Sequence, residues 1–426
     1  MTYKTFAAIN VGSGEVSMKI YEISPKTGIR EIDYVRYYIE LGSDTYTKGY
    51  IEYDLVRELC DVLEGFSTKM EEYRVDSYLA LGSSALIEAS NCELIVDQIR
   101  VRTGLKVETI DNAQQRFLLL KSVARGMRNF EQLIDDGAAI VDMGSGSLQI
   151  TIYDEGRLIY TQNLKLGSLR IREILADLEG QTDNFVNVME DYIGNYIDTF
   201  SRLFMHERKV RHIIAVGEEM ESIVKIIGSD GRKNHMERHA FDAVCGSVLA
   251  AGEEELSAKY SIPYELATVL KPAIIVYKKI IEISGAEKIW AAGCDLCDGM
   301  IVDYAERQEQ IEPAHFLLKI LFLMQGQWQP DMRATKSIRR MSKKQPWQYL
   351  TASKREQDWI SATAFFCRWP VFFMTAASMS ICLVVQITAA LLFVRQNLSD
   401  CRNRRRVLLL IRSNTMHGIM CRSCLN

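Results

Sequence analysis

Ala139-Ile140-Val141-Asp142-Met143-Gly144-Ser145-Gly146-Ser147-Leu148-Gln149-Ile150-Thr151-Ile152-Tyr153-Asp154 is an apolar run that enters a Gly-Ser-Gly turn and leaves it as an alternating segment. A second version stands 132 residues earlier, as Ala7-Ala8-Ile9-Asn10-Val11-Gly12-Ser13-Gly14-Glu15-Val16-Ser17-Met18-Lys19-Ile20-Tyr21-Glu22. The two align without a gap, pairing Ile9 with Val141, Asn10 with Asp142, Gly12 with Gly144, Ser13 with Ser145, Gly14 with Gly146, and Tyr21 with Tyr153. A shared register over sixteen residues points to a duplicated unit. Val16, Met18 and Ile20, like Leu148, Ile150 and Ile152, recur at the two-residue period of a strand, so each copy is predicted as a glycine-turn hairpin. Glycine lets a ligand approach the backbone amides closely, and serine adds a hydroxyl donor. Either copy alone reads more readily as an ordinary tight hairpin. As a pair facing each other, they would clamp a chain of phosphates.

Outward from the first loop, Asp54 is placed to cap a helix whose apolar face runs Leu55, Leu59, Val62, Leu63, Phe66 and Met70. A strand Tyr78–Leu81, a helix near Glu93–Thr103, a strand Leu105–Ile110 and a helix from about Ala113 to Arg125 follow. Beyond the second loop, Thr182 or Asp183 opens a helix carrying Phe185, Val188, Met189, Tyr192, Ile193, Tyr196, Ile197, Phe200 and Leu203 at helical spacing, a core stripe. Val210–Val216 reads as a strand closed by Gly217, a third turn able to meet a ligand. A helix Glu265–Ser284, a strand-like run Lys288–Gly293 and a helix Asp298–Arg307 complete the alternation. Strands and helices in this order predict an α/β architecture of two similar units with a cleft between them. Opening and closing of that cleft would control access. The predicted divisions are a first domain over 1–125, a second over 126–310 and an anomalous tail over 311–426.

The chain's 426 residues suffice for two or three domains, and its formal charge of −4 conceals a division. From Pro313 onward there are 17 Lys and Arg against 4 Asp and Glu, whereas residues 1–312 carry 34 against 51. An acidic body disfavours nucleic-acid binding. Thr2–Glu22 lacks the apolar core and cleavage site of a secretory signal, and ten scattered cysteines suit a reducing compartment, so a cytoplasmic location is expected. Two Cys-x-x-Cys pairs, Cys294/Cys297 and Cys421/Cys424, have zinc-ligand spacing, but the first lies in an apolar run. His235 and His239 have the spacing of a shared helical face, read as a solvated basic face with no ligand pattern beside it.

The stretch from Phe6 to about Gln308 resembles the exopolyphosphatase and guanosine pentaphosphate phosphohydrolase family, Ppx/GppA. Four blocks carry the resemblance. Ala7–Gly14 is similar to the family's Asp-Ile-Gly-Ser-Asn opening, and Gly82-Ser83-Ser84-Ala85-Leu86-Ile87-Glu88-Ala89-Ser90-Asn91 to its Gly-Thr-Ser-Ala-x-Arg-x-Ala-x-Asn block. Asp142-Met143-Gly144-Ser145-Gly146-Ser147 resembles the Asp-Ile-Gly-Gly-Gly-Ser loop, and Leu164–Arg170 resembles the Pro-Leu-Gly-Ser-x-Arg stretch that follows it. The resemblance implies the duplicated actin-like fold shared with sugar kinases and Hsp70, ribonuclease H-like in each half. It also implies hydrolysis of phosphoanhydrides in polyphosphate or guanosine penta- and tetraphosphate with magnesium. The phosphate-binding set it suggests is Gly12, Ser13, Gly14, Ser83, Ser84, Gly144, Ser145, Gly146, Ser147 and Arg170. Sugar and acetate kinases share the fold but not the second and fourth blocks.

The chain departs from the family where the chemistry would sit. The segment aligned with the family's Gly-x-Glu-Glu-Ala-Arg is Asp111-Asn112-Ala113-Gln114-Gln115-Arg116, so Gln114 and Gln115 stand in place of two glutamates. Gln149 replaces the glutamate after the second loop, and Asn10 the aspartate of the first, whereas Asp142 is retained and can hold magnesium or a water. An amide positions a water but has no basic oxygen of useful pKa, so general-base catalysis at Gln114, Gln115 and Gln149 is expected to fail. Asp111, Glu15 and Glu218 are carboxylates near the loops that could substitute. Two functional readings follow: a hydrolase of weak or relocated activity, and a non-catalytic member that binds polyphosphate or a guanine alarmone and reports it by cleft closure. A homodimer is compatible with either.

In the tail, Trp369–Val394 is an uncharged run of 26 residues with basic residues on both sides, followed by Arg404-Arg405-Arg406. Three readings stay open: a shifted reading frame after about residue 313, a C-terminal membrane anchor, and a buried soluble helix pair.

Overall fold

The computed structural model describes residues 3–24, 26–182, 184–204, 210–227 and 235–308. The expectations for the tail, for Cys421/Cys424 and for Asp183 fall outside these residues. Among those described, no helix is long and apolar enough to cross a membrane.

Five strands, β1 (Lys4–Val11), β2 (Glu15–Ser24), β3 (Gly28–Tyr38), β4 (Ser77–Gly82) and β5 (Val107–Thr109), form a first sheet in the order β3-β2-β1-β4-β5. Between and after them come α1 (Leu41–Lys48), α2 (Tyr53–Glu72), α3 (Ser84–Glu88), α4 (Cys92–Thr103) and α5 (Asn112–Gly126). After α6 (Phe130–Asp135), the strands β6 (Ala138–Met143), β7 (Leu148–Asp154), β8 (Arg157–Leu164) and β9 (His212–Val216) begin a second sheet that β10 (His235–Glu237) and β11 (Lys288–Ala291) complete, in the order β10-β11-β9-β6-β7-β8. Its helices are α7 (Ser168–Glu179), α8 (Phe185–Phe204), α9 (Glu218–Ile227), α10 (Arg238–Ala250), α11 (Glu253–Tyr260), α12 (Tyr264–Ser284) and α13 (Leu296–Arg307). The second sheet repeats the first, strand for strand, with β10 added antiparallel at its edge.

The duplication extends to register. β1 and β2 pair antiparallel with Asn10 opposite Ser17, and β6 and β7 pair with Asp142 opposite Gln149. In each sheet the first strand runs parallel to the next one inward, Ile9 beside Ala80 and Val141 beside Ala215. Alternation sorts the side chains: Ala7, Ile9, Val11, Met18 and Ile20 face one core with Leu59, Leu63 and Phe66 of α2, while Phe6, Ala8 and Tyr21 face another with Met300 and Ile301 of α13. This is the duplicated actin-like α/β fold.

Two helices join the halves. In α5, Leu118 packs with the first sheet's Phe6 and Ala8, while its neighbours Leu119 and Val123 pack with Ile140 and Tyr153 of the second. α13 returns from the second half to the first sheet, held by Lys19, which bonds Asp298 at 3.0 Å and Asp295 at 2.9 Å, and by Tyr21, whose hydroxyl donates to Asp298 at 2.8 Å. Buried Lys121 of α5 bonds Asp303 at 2.8 Å and also pairs with Glu306, fastening the two helices together.

The paired histidines do not share a helical face: His235 lies in β10, its ring tilted against that of Trp290 with centroids 4.4 Å apart, while His239 is in α10. The chain changes from strand to helix between them, which spacing alone does not reveal. Asp54 is the second residue of α2 and Glu52 its cap, so the helix begins earlier than its acidic signal suggested.

Candidate functional site

Both glycine turns close by the same bond: the Gly12 amide donates to the Glu15 carbonyl at 2.9 Å and the Gly144 amide to that of Ser147 at 3.0 Å. The tips of the two hairpins meet. A Cβ on Gly14 would fall 2.7 Å from Ser145 Oγ, and one on Gly146 would fall 2.8 Å from Ser13 Oγ and 3.0 Å from Ser84 Cβ. Only glycine permits this approach of one turn to the other. Tyr46 of α1 donates to Ser13 Oγ at 2.7 Å, and the Arg170 guanidinium lies 3.7 Å from the centre of the Tyr46 ring. Arg170 Nε donates to the Gly146 carbonyl at 2.6 Å, and its two terminal nitrogens grip Glu88 at 2.7 and 3.2 Å. Ser13, Gly14, Ser84, Ser145, Gly146 and Arg170 are thus gathered at one point, with the loops in mutual contact. Ser83, at the start of α3, donates its amide to the Val11 carbonyl.

Behind the second loop is a group of polar side chains. Gln149 is 2 % exposed, its Oε1 accepts from Arg116 Nε at 3.3 Å, and its Nε2 is buried without a partner among the described residues. Asp142 faces it across the ladder. Glu219, at the start of α9, is buried and accepts from Ser168 Oγ at 2.6 Å. Burial and the neighbouring Glu219 push Asp142 up to about 7, against the pull of Arg116. Burial also pushes Glu219 up to about 7, with Glu15 and Glu221 adding to it and the Ser168 bond opposing it. Glu219 reaches this place because Gly217 turns the chain at φ +124°, where a Cβ would strike the Met143 carbonyl.

The remaining positions singled out in the sequence are used differently. Gln114 is exposed, its Oε1 accepting from the Asp111 amide at 3.2 Å while Asp111 accepts from the amides of Ala113 and Gln114. Together they make a capping box that satisfies the first amides of α5. Gln115 beside it is half-buried. Glu15 and Glu218 both pair with Arg36, so this pair of substitute carboxylates flanks one arginine where the halves meet. Glu219, Ser168, Arg116 and Tyr46 were missed in the sequence. The signal available for Glu219 was the acidic pair directly after the glycine that ends β9, of which only Glu218 drew notice.

Among the described residues, no three Asp, Glu, His or Cys side chains converge as a metal cage. Cys297 is buried with its thiol toward the Ala8 carbonyl, and burial pushes the Cys294 thiol up to about 12, the opposite of what a zinc thiolate needs. Asp142 and Glu219 are a two-carboxylate donor set. Magnesium is ordinarily held by one or two carboxylates together with substrate phosphates, and a dication would relieve the repulsion between these two. The residues present therefore fit such an ion.

An exopolyphosphatase of Cytophaga hutchinsonii superposes with a TM-score of 0.62 at 18% identity, covering 71% of this chain and 98% of its own. The Aquifex aeolicus Ppx/GppA family member superposes with a TM-score of 0.59 at 18% identity, covering 72% and 99%. At such identities these structures establish the fold. A bifunctional 3-dehydroquinate synthase/phosphatase of Fusobacterium nucleatum is 20% identical over 173 residues, 39% of this chain, and the chain spans only 26% of that relative's length. The sequence model of the Ppx/GppA phosphatase family matches residues 20–308. With more than half its length so matched, and with both sheets and the two glycine hairpins in place, the chain belongs to the Ppx/GppA phosphatase family.

Proposed function

We propose that this protein binds a linear phosphate chain, either polyphosphate or the phosphate tail of a guanosine penta- or tetraphosphate, in the cleft between its glycine loops, and that its phosphoanhydride hydrolysis is weak or lost. The observation that carries the reading is Gln149. It lies buried beside Asp142, its carbonyl oxygen on Arg116, at the position where the family resemblance implies a glutamate. A neutral amide there orients a water but accepts no proton from it. Gln114 is committed to a helix cap and offers no replacement.

Arg170 would meet the negative charge of the chain as a planar fork, and the serine hydroxyls of both loops would donate to phosphate oxygens. Asp142 and Glu219 would hold magnesium when it is bound, and that ion would supply charge neutralisation on the phosphate oxygens. Residual hydrolysis would depend on Asp142 and Glu219, the acids that remain behind the second loop. The second reading, a non-catalytic regulator that reports the ligand through lobe closure, is favoured by the direct contact of the loop tips.

The test is phosphate release from polyphosphate and from guanosine pentaphosphate by the full chain with magnesium, beside Gln149→Glu and Gln115→Glu and their double variant. The expected result is no release above a heat-killed control by the unmodified chain, with activity appearing in a glutamate variant. Turnover by the unmodified protein that survives Glu219→Gln and Asp142→Asn would overturn the reading.

A further inference from the structure

We propose that Glu88 is a built-in occupant of the anion seat formed by Arg170 and Lys165, and that it clasps the two halves of the molecule shut until a phosphate group displaces it. The inference rests on the reading of the cleft as a phosphate-chain site, and deepens it by naming what controls access.

Glu88 ends α3 in the first half; Lys165 and Arg170 flank the turn between β8 and α7 in the second. Arg170 approaches the carboxylate through both terminal nitrogens, at 2.7 and 3.2 Å, and Lys165 Nζ adds a third contact at 3.1 Å. Two cations converging on one carboxylate, the planar fork among them, is the arrangement that recognises a phosphate. Arg170 is 6 % exposed and sandwiched, with the Tyr46 ring 3.7 Å away and the Gly146 carbonyl on its Nε. It cannot swing out to meet a ligand, so a ligand must come to it. Burial alone would raise the Glu88 carboxyl, yet Arg170 and Lys165 outweigh it and hold the group below its ordinary range. The carboxylate is therefore ionised at neutral pH and competes with any incoming anion.

The same geometry explains why the clasp closes the cleft. With Arg170 fixed on Glu88 and packed on the Tyr46 ring, the glycine turns abut, leaving no gap of phosphate width at their tips. Arg172 on Glu40, at 2.6 and 2.9 Å, is a second bidentate pair across the same junction. In the block that resembles Gly-Thr-Ser-Ala-x-Arg-x-Ala-x-Asn, the arginine position is Ile87, with an exposed side chain. The carboxylate one residue on thus has no arginine on its own helix, and its partners lie across the junction.

The experiment compares the full chain with Glu88→Gln by hydrogen exchange and by calorimetric titration with tripolyphosphate and, separately, guanosine tetraphosphate. Glu88→Gln should leave the far-UV circular dichroism unchanged and speed amide exchange in α1 and the first turn of α7 about tenfold. It should also bind tripolyphosphate about tenfold more tightly, since the competent open state is no longer a minor one. Tyr46→Phe, which keeps the ring over Arg170 and removes the hydroxyl's bond to Ser13 and its interaction with Arg170, should give a smaller acceleration and guards against a folding defect in the first variant. Tighter binding of both ligands assigns recognition to the phosphate chain; tightening with the nucleotide alone assigns it to the tail of a nucleotide. Unchanged exchange in both variants overturns the clasp whatever the ligands do. Faster exchange with neither ligand bound by either protein overturns the phosphate seat, and the reading of the cleft with it, while still reporting that Glu88 holds the halves together.

Discussion

The first and second glycine loops share a backbone and differ in chemistry. At the last polar position before the turn the first has Asn10, neutral, with its Oδ1 buried and unpartnered among the described residues; the second has Asp142, an ionisable carboxyl set against Glu219 and Arg116. Opposite them lie Ser17 in the first copy and Gln149 in the second. The serine of the first loop accepts from a tyrosine hydroxyl of its own half, while the second loop collects the ionisable groups. Duplication preserved the fold because strand register and turn geometry are indifferent to these substitutions. The chemistry was free to move to one side.

The strand ends beside the loops give the largest expected contrast. Gly217 has φ +124° and its missing Cβ points at the Met143 carbonyl, whereas Gly82, its counterpart, faces side chains, the tip of Leu86 first and Val107 at 3.5 Å. Gly217→Ala should cost about 3 kcal/mol, from a positive-φ penalty together with a backbone clash, and Gly82→Ala about 1 kcal/mol, as overpacking that a side chain absorbs. Urea midpoints at constant slope measure both, and equal losses would break the comparison.

The loop tips come next. Gly146→Ala brings a methyl against the Tyr46 hydroxyl, Ser13 and Ser84 together, while Gly14→Ala meets chiefly the Ser145 hydroxyl, which can rotate away. Losses of about 2 kcal/mol and under about 1 kcal/mol are expected.

The two loops should also differ in their response to pH. Unfolded carboxyls titrate near 4, whereas Asp142 and Glu219 are pushed up to about 7 when folded, so the native state binds more protons between these values. Their contribution to stability is complete below about pH 4 and is lost as pH rises through about 7. Discounted for the partial exposure of Asp142 and the coupling between the two, the loss is about 1–2 kcal/mol. In chelator, the melting temperature should therefore fall over this window less steeply in Asp142→Asn and Glu219→Gln. Asn10→Ala, in the neutral loop, should leave that slope as it is, and a slope unaltered by all three variants would sink the assignment.

The smallest effect concerns the hydroxyls. Ser13→Ala removes a hydrogen bond to Tyr46 and should cost about 1 kcal/mol in the same unfolding measurement; Ser145→Ala should cost less. A reversal of that order would mean that the hydroxyl of the second loop, and not that of the first, makes the stronger contact at the tips.

The central hairpins were legible in the sequence because strand alternation and the glycine turn are local: Val16, Met18 and Ile20, and Leu148, Ile150 and Ile152, declare themselves without reference to the rest of the chain. α2, α4, α5, α12 and α13 were legible within a few residues for the same reason. β3 and β8 were not, since each is an edge strand whose residues are mostly half-buried or exposed, and a strand with little burial on either face shows no period. β10 was hidden in a segment whose histidine spacing mimicked a helix.

The candidate site divides in the same way. By itself the sequence determined that there are two glycine turns, that each ends a strand, and that amides stand where the family resemblance implies acids, since these properties belong to neighbours along the chain. Only the tertiary structure decided that Gln114 caps a helix while Gln149 is buried beside Asp142. It alone placed Glu219 on Ser168, 51 residues away, and Arg170 on Glu88, 82 residues away. The physical reason is that the charge state and partners of a buried group depend on what the fold brings against it from remote parts of the chain, and no local pattern of residues encodes that meeting.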